Sequence, residues 1–88
     1  MLNKRRSEFE IISEILTVSM DGAKSTEILY KGYLNYVQLK QYVLHLTEKE
    51  ILKETITKNG NGYTKEYYTT SKGKELLASI NRTLSLLK

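Results

Sequence analysis

Residues 25–46 read STEILYKGYLNYVQLKQYVLHL, and this stretch decides the fold. It holds two helical patterns separated by a break at Gly32, Tyr33 and Leu34. In the second pattern Asn35 is followed by Gln38 at the spacing of a reciprocal cap: the Asn35 carboxamide accepts from the Gln38 amide while the Gln38 side chain reaches back. A helix is predicted from Tyr36 to about Lys49. At about 100° per residue, Leu39, Val43 and Leu46 fall in one narrow sector, with Tyr36 and Tyr42 flanking it. Val37, Gln38, Gln41, Leu44 and His45 fall in the opposite sector, with Lys40 at its border. One stripe is therefore buried, and the outward face is polar but nearly uncharged. Ahead of this helix, Ser25 is expected to cap a short one through Tyr30 that ends near Gly32.

Working outward, Ser7 and Glu10 fit a capping box at the start of a first helix, whose apolar face is Phe9, Ile12, Ile15, Leu16 and Ile11. Met20, Asp21 and Gly22 are expected to end it, with Gly22 free to turn left-handed. Ala23 and Lys24 suffice only for a minimal strand. Downstream of Leu52 the period changes. Residues 53–58 and 63–70 are rich in Thr, Ile and Tyr, and Asn59-Gly60-Asn61-Gly62 between them is a hairpin signal. Thr70 or Ser71 then caps a fourth helix to about Leu87. In it Leu77, Ile80, Leu84 and Leu87 recur at heptad spacing. The fold class that follows is α+β, mainly α, with residues 1–70 forming a head and residues 71–88 a C-terminal helix.

Composition narrows the function. Eighty-eight residues allow one small domain. With 40% hydrophobic and 27% charged residues the chain is globular rather than disordered. There is no Cys and one His, His45, so disulfides, thiolate zinc, a cysteine nucleophile and a His-rich metal site are excluded, and no cofactor is expected. No apolar run approaches the ~20 residues that cross a bilayer. No apolar stretch follows the basic start as a signal peptide would need, so a soluble, cytoplasmic protein is expected. A net charge of +4 favours anionic partners, nucleic acid first and lipid surfaces second. No helix combines a strongly basic with a broad apolar face, which counts against the membrane. Catalysis finds no footing. Ser7, Ser25 and Ser71 read as caps, and the carboxylates, mostly beside Lys on helices, read as exposed ion pairs. Gly60 and Gly62 lie in a hairpin, not in a phosphate loop.

The order helix, short helix, tight turn, helix, two-stranded ribbon, helix is that of a winged helix-turn-helix. The residues agree: Gly22-Ala23-Lys24-x-Thr26-x-Ile28-x-Tyr30, then Leu34-x-Tyr36-x-Gln38-Leu39-x-x-Tyr42-Val43-x-x-Leu46, Ile51-Leu52, and Tyr67-x-Thr69-Thr70-x-Lys72-Gly73. Over roughly Arg5 to Leu77 the chain resembles the archaeal winged-helix proteins of about ten kilodaltons, basic DNA-binding proteins and small transcriptional regulators. The resemblance implies a homodimer clasped by C-terminal helices in a coiled coil, with two DNA-binding heads. One departure is visible: residues 72–87 make only ~24 Å of helix, shorter than that family's long arm.

In such a protein the helix from Tyr36 enters the major groove of double-stranded DNA. Gln38 and Gln41 are then the candidates for base edges, since Gln donates and accepts at once, as adenine requires. Val37 and Leu44 could touch a thymine methyl, and Lys40 and Lys31 a phosphate. Asn35 serves the cap and leaves the helix N-terminus to receive a phosphate. Each has a plainer alternative: Gln as a solvated helix former, Tyr36 and Tyr42 as core flank, His45 as a wet surface histidine. The ribbon tip, with Lys58, Asn59, Asn61 and Lys65, is either a solvated hairpin or a wing on the minor groove or backbone. Lys4, Arg5 and Arg6 are a phosphate clamp or the solvated end of the first helix. The seam Leu77, Ile80, Leu84 and Leu87 either joins a second chain, the reading preferred here, or packs on the first helix. The function expected is a sequence-specific, dimeric, nucleoid-associated regulator. The alternatives are a non-specific architectural protein and a protein-interaction module.

Overall fold

The computed structural model describes residues 6–87, so Lys4 and Arg5 of the expected basic arm lie outside the described residues. The elements are α1 (Glu8–Val18), β1 (Ala23–Lys24), α2 (Ser25–Lys31), α3 (Tyr36–Glu48), β2 (Leu52–Asn59), β3 (Gly62–Thr69) and α4 (Ser71–Leu86). This is the expected α+β, mainly helical, winged helix-turn-helix architecture. The strands form one antiparallel sheet in the order β1-β3-β2.

The helix starts follow local chemistry. Both halves of the capping box form at Ser7 and Glu10 and again at Asn35 and Gln38. The Thr70 hydroxyl accepts from the Gly73 amide at 3.0 Å and so caps α4. Ser25 does not cap α2: Lys24 occupies the cap position, its amide donating to the Glu27 carboxylate at 3.2 Å, and Ser25 is the first helical residue. The pairing of Ala23 with Tyr67 fixes Lys24 in extended backbone, and this moves the start one residue earlier.

α2 ends at its cap Gly32 and α3 at its cap Lys49, as expected, while α1 ends earlier than expected. α1 closes at Val18 with Ser19 as its C-cap, ahead of Met20, Asp21 and Gly22. Gly22 does have a left-handed φ of 99°, but as the entry to β1, and the Tyr68 ring fills the space a side chain would need. At the end of α2 the left-handed residue is Tyr33, with φ 51°, and not Gly32. Gly32 is needed for close approach instead, since a Cβ there would meet the Ile28 carbonyl at 2.7 Å. Tyr33 N–H donates to Tyr30 O and Leu34 N–H to Leu29 O, the paired bonds of a Schellman motif. α3 ends the same way: Glu50, with φ 62°, donates to Thr47 O, and Ile51 donates to Leu46 O. The two left-handed residues without the freedom of glycine thus bracket α3 on either side.

The predicted stripe of α3, Leu39, Val43 and Leu46, is buried against Ile12, Ile15 and Leu16 of α1, Ile28 of α2 and Leu52 of β2. Thr69 ties β3 to the end of α1, its hydroxyl donating to Leu16 O at 2.7 Å and its amide to Ser19 O at 3.0 Å. α4 lies along α1, with the Ser13 hydroxyl donating to Asn81 Oδ1 at 2.9 Å. Here the seam reading is corrected. Leu77 and Ile80 are buried in the chain's own core, while Leu84 is half-buried and Leu87 exposed. Within the chain α1 packs against the first two, and the last two are left more open. The first half of α4 therefore shares the core of the head.

Candidate nucleic-acid interface

The outer face of α3 is bare: Val37, Gln38, Lys40, Gln41, Leu44 and His45 are all exposed. They divide between two flanks. Tyr36, Lys40 and Leu44 line a groove whose other wall is Glu54, Lys65 and Tyr67 of the ribbon, with Ser25 also in its lining. Gln38, Gln41 and His45 line a shallow depression shared with Glu8 and Tyr42. Val37 and Leu44 are each about 60% exposed, a high value for aliphatic side chains on a helix in a domain this small.

The side chains in these places are not equally free. Gln38 Oε1 accepts from the Asn35 amide at 3.1 Å, so its acceptor serves the cap and only its NH₂ group is left for another partner. Gln41 carries no such commitment, so both its acceptor and its NH₂ group are open to a partner. Lys40 Nζ lies 5.0 Å from the centre of the Tyr36 ring, a cation–π contact that holds the cation at the lip of the groove. Tyr36 itself is exposed, not core flank, whereas Tyr42 is half-buried. Burial, and then the Glu8 carboxylate, push the Tyr42 phenol above its ordinary value. Lys31 is exposed in the last turn of α2. Arg6 donates to the Tyr33 carbonyl at 3.2 Å, and its guanidinium lies 5.9 Å from the centre of the Tyr33 ring.

The ribbon register decides which wing residues act together. Leu52 pairs with Thr69, Glu54 with Tyr67, Ile56 with Lys65 and Lys58 with Tyr63. Directly opposed residues share a face. The face that begins at buried Leu52 and Thr69 thus runs outward through Glu54 and Tyr67 to Ile56, Lys65, Lys58 and Tyr63. Lys58 and Lys65 lie on the groove side, on the same side as Lys40. The other face carries Asn59, whose amide donates to the Thr64 hydroxyl at 3.1 Å. Gly60 and Asn61 form the two-residue turn, with Gly60 at φ 54°. Lys65 is not a free cation, because its Nζ is 3.4 Å from Glu54 Oε1. Among the described residues this is the single ion pair, and it lies on the ribbon, not between helical neighbours as the carboxylate spacing suggested. The Tyr67 hydroxyl donates to the same oxygen at 3.3 Å. Burial, with Glu54 beside it, pushes the Tyr67 phenol above its ordinary value, which keeps it a neutral donor.

Sequence reasoning missed Tyr30, Tyr33, Ile56 and Tyr63, all of them 60–84% exposed. The abundance of Tyr was the available signal; it did not say which tyrosines face outward. Among the described residues no three His, Asp or Glu side chains gather as a metal site, and no helix is long and apolar enough to cross a membrane.

A crystal structure of Sso10a-2, described as a DNA-binding protein from Sulfolobus solfataricus, is similar with a TM-score of 0.79 and 28% identity, covering 92% of this chain and 81% of that one. A PadR-like transcription factor of Bacteroides fragilis shares the fold with a TM-score of 0.74 at 19% identity, over 89% of this chain and 82% of that one. A possible transcriptional regulator of Methanosarcina mazei does so with a TM-score of 0.61 at 20% identity, over 86% and 66%. No curated protein sequence matches this chain. The resemblance to small archaeal winged-helix proteins read from the motifs agrees with these similarities. The sequence model of the winged helix-turn-helix family matches residues 5–88, and the chain belongs to that family.

Proposed function

We propose that this chain is a non-enzymatic, double-stranded DNA-binding transcriptional regulator that works as a homodimer. In this reading α3 enters the major groove and the ribbon lies on the adjacent minor groove or backbone. The observation that carries it is a shared footprint. The exposed flank of α3 with Lys40 and the ribbon wall with Lys65 line one groove, and Lys58 lies further out on the same ribbon face. Gln41 reads bases, Val37 and Leu44 meet thymine methyls, and Lys31, Lys40 and Lys58 meet phosphate. The similar Sulfolobus DNA-binding protein and the PadR-like Bacteroides transcription factor support the same reading. The second copy would cover the apolar strip that the first half of α4 leaves open: Leu84, Leu86 and Leu87, with Phe9 of α1 beside them.

Electrophoretic shift of duplex DNA at two salt concentrations tests the DNA half. With ~6–10 phosphates neutralised, affinity should fall by ~10³–10⁵ between 50 and 200 mM salt. A flat response, or Lys40→Ala/Gln41→Ala binding as wild type does, would point to a protein-interaction module instead. Footprinting separates discrete sites, expected of a regulator, from the uniform coating of an architectural protein.

A further inference from the structure

The groove between α3 and the ribbon would receive a phosphate strand, yet a carboxylate stands in its wall. Glu54 lies opposite Tyr67 in the register and diagonal to Lys65 on the same ribbon face. Its Oε1 is 3.4 Å from Lys65 Nζ and 3.3 Å from the Tyr67 hydroxyl. Lys40 lies across the groove. The side chains of Glu54 and Lys65 are 36% and 58% exposed, so the pair adds little to stability. Its consequence is electrostatic. It cancels one of the cations in the groove and sets a negative charge in the wall that a phosphate would pass.

We propose that Glu54 is a negative determinant of DNA affinity, which holds Lys65 back from phosphate and sets the strength of the wing contact. The proposal rests on the DNA-binding reading above. A strand entering the groove must take Lys65 from Glu54, and the carboxylate left behind repels the phosphate that replaces it. Tyr67 keeps the carboxylate pointed into the groove and cannot neutralise it, being itself an uncharged donor. The effect falls on the sugar-phosphate backbone and is therefore the same for every duplex sequence.

The test is a shift titration of one random duplex against wild type, Glu54→Gln, Glu54→Ala, Lys65→Met and the Glu54→Gln/Lys65→Met pair, with melting temperatures measured alongside. Glu54→Gln should bind about three- to tenfold tighter at low salt, with a salt slope steeper by ~0.9 for the one phosphate gained. Glu54→Ala, which also removes the acceptor for Tyr67, should shift in the same direction. Lys65→Met should cost more affinity in the Glu54→Gln background than alone, since only there is the cation free. A folded Glu54→Gln that binds no tighter, or a Lys65→Met loss that is equal in both backgrounds, overturns the role of Glu54 while leaving DNA binding intact. Wild type that fails to shift duplex at either salt concentration overturns both.

Discussion

Helix α3 buries Leu39, Val43 and Leu46 within its own chain and leaves its outer face bare, whereas α4 divides along its length. Gly73, Leu77 and Ile80 are buried, Leu84 is half covered, and Leu86 and Leu87 stand more than 75% exposed. The two helices carry apolar residues at the same three-and-four spacing. The difference lies in what each has beside it. The α3 stripe belongs to one buried cluster with residues of α1, α2 and β2, while among the described residues the end of α4 has beside it only the first turn of α1, with Ser7, Phe9 and Glu10. A helical period thus names the residues that share a face; the partner that covers that face is decided by how far neighbouring elements reach.

The comparison breaks most visibly through Leu77. Leu77→Ala should cost ~2–5 kcal/mol by cavity formation, at any protein concentration, in equilibrium denaturation. Leu87→Ala should leave dilute protein untouched and weaken only the rise of melting temperature with concentration that a dimer would give. Equal effects from the two would mean that α4 acts as one surface. A smaller effect sharpens the role of the junction between the helices. Alanine at an interior helix position ordinarily stabilises by ~1 kcal/mol over glycine. At Gly73 the new Cβ would collide with the Ile51 carbonyl and sit 2.8 Å from Thr69 Cγ2, so Gly73→Ala should destabilise by ~1–3 kcal/mol. The smallest change is a gain. Glu50 holds a left-handed φ of 62° at the end of α3, and Glu50→Gly should raise stability by ~0.5–1 kcal/mol, the removed strain less the added freedom of the unfolded chain.

Several of these features could be read in the chain and others could not. The caps at Ser7, Asn35 and Thr70, the α3 stripe and the Asn59–Gly62 hairpin depend on neighbours a few residues away, and each formed as read. The left-handed positions did not follow glycine at the end of α2. The left-handed residue there is Tyr33, one position after the cap Gly32, whose own Cβ would crowd the Ile28 carbonyl that its amide bonds. The candidate site shows the same division. Exposure of Val37, Gln41 and Leu44 followed from the period, but the commitment of Gln38 to its cap and of Lys65 to Glu54 needed side chains placed in space.

By itself the sequence determined the order of elements, the buried side of α3 and the basic balance, since these rest on periodicity, capping and composition within short stretches. Only the tertiary structure decided which half of α4 belongs to the head, and that a carboxylate shares the groove with the lysines. Both depend on distances between residues far apart in the chain: α4 against α1, and the ribbon against α3. Those distances are set by the packing of the whole domain and by no local pattern.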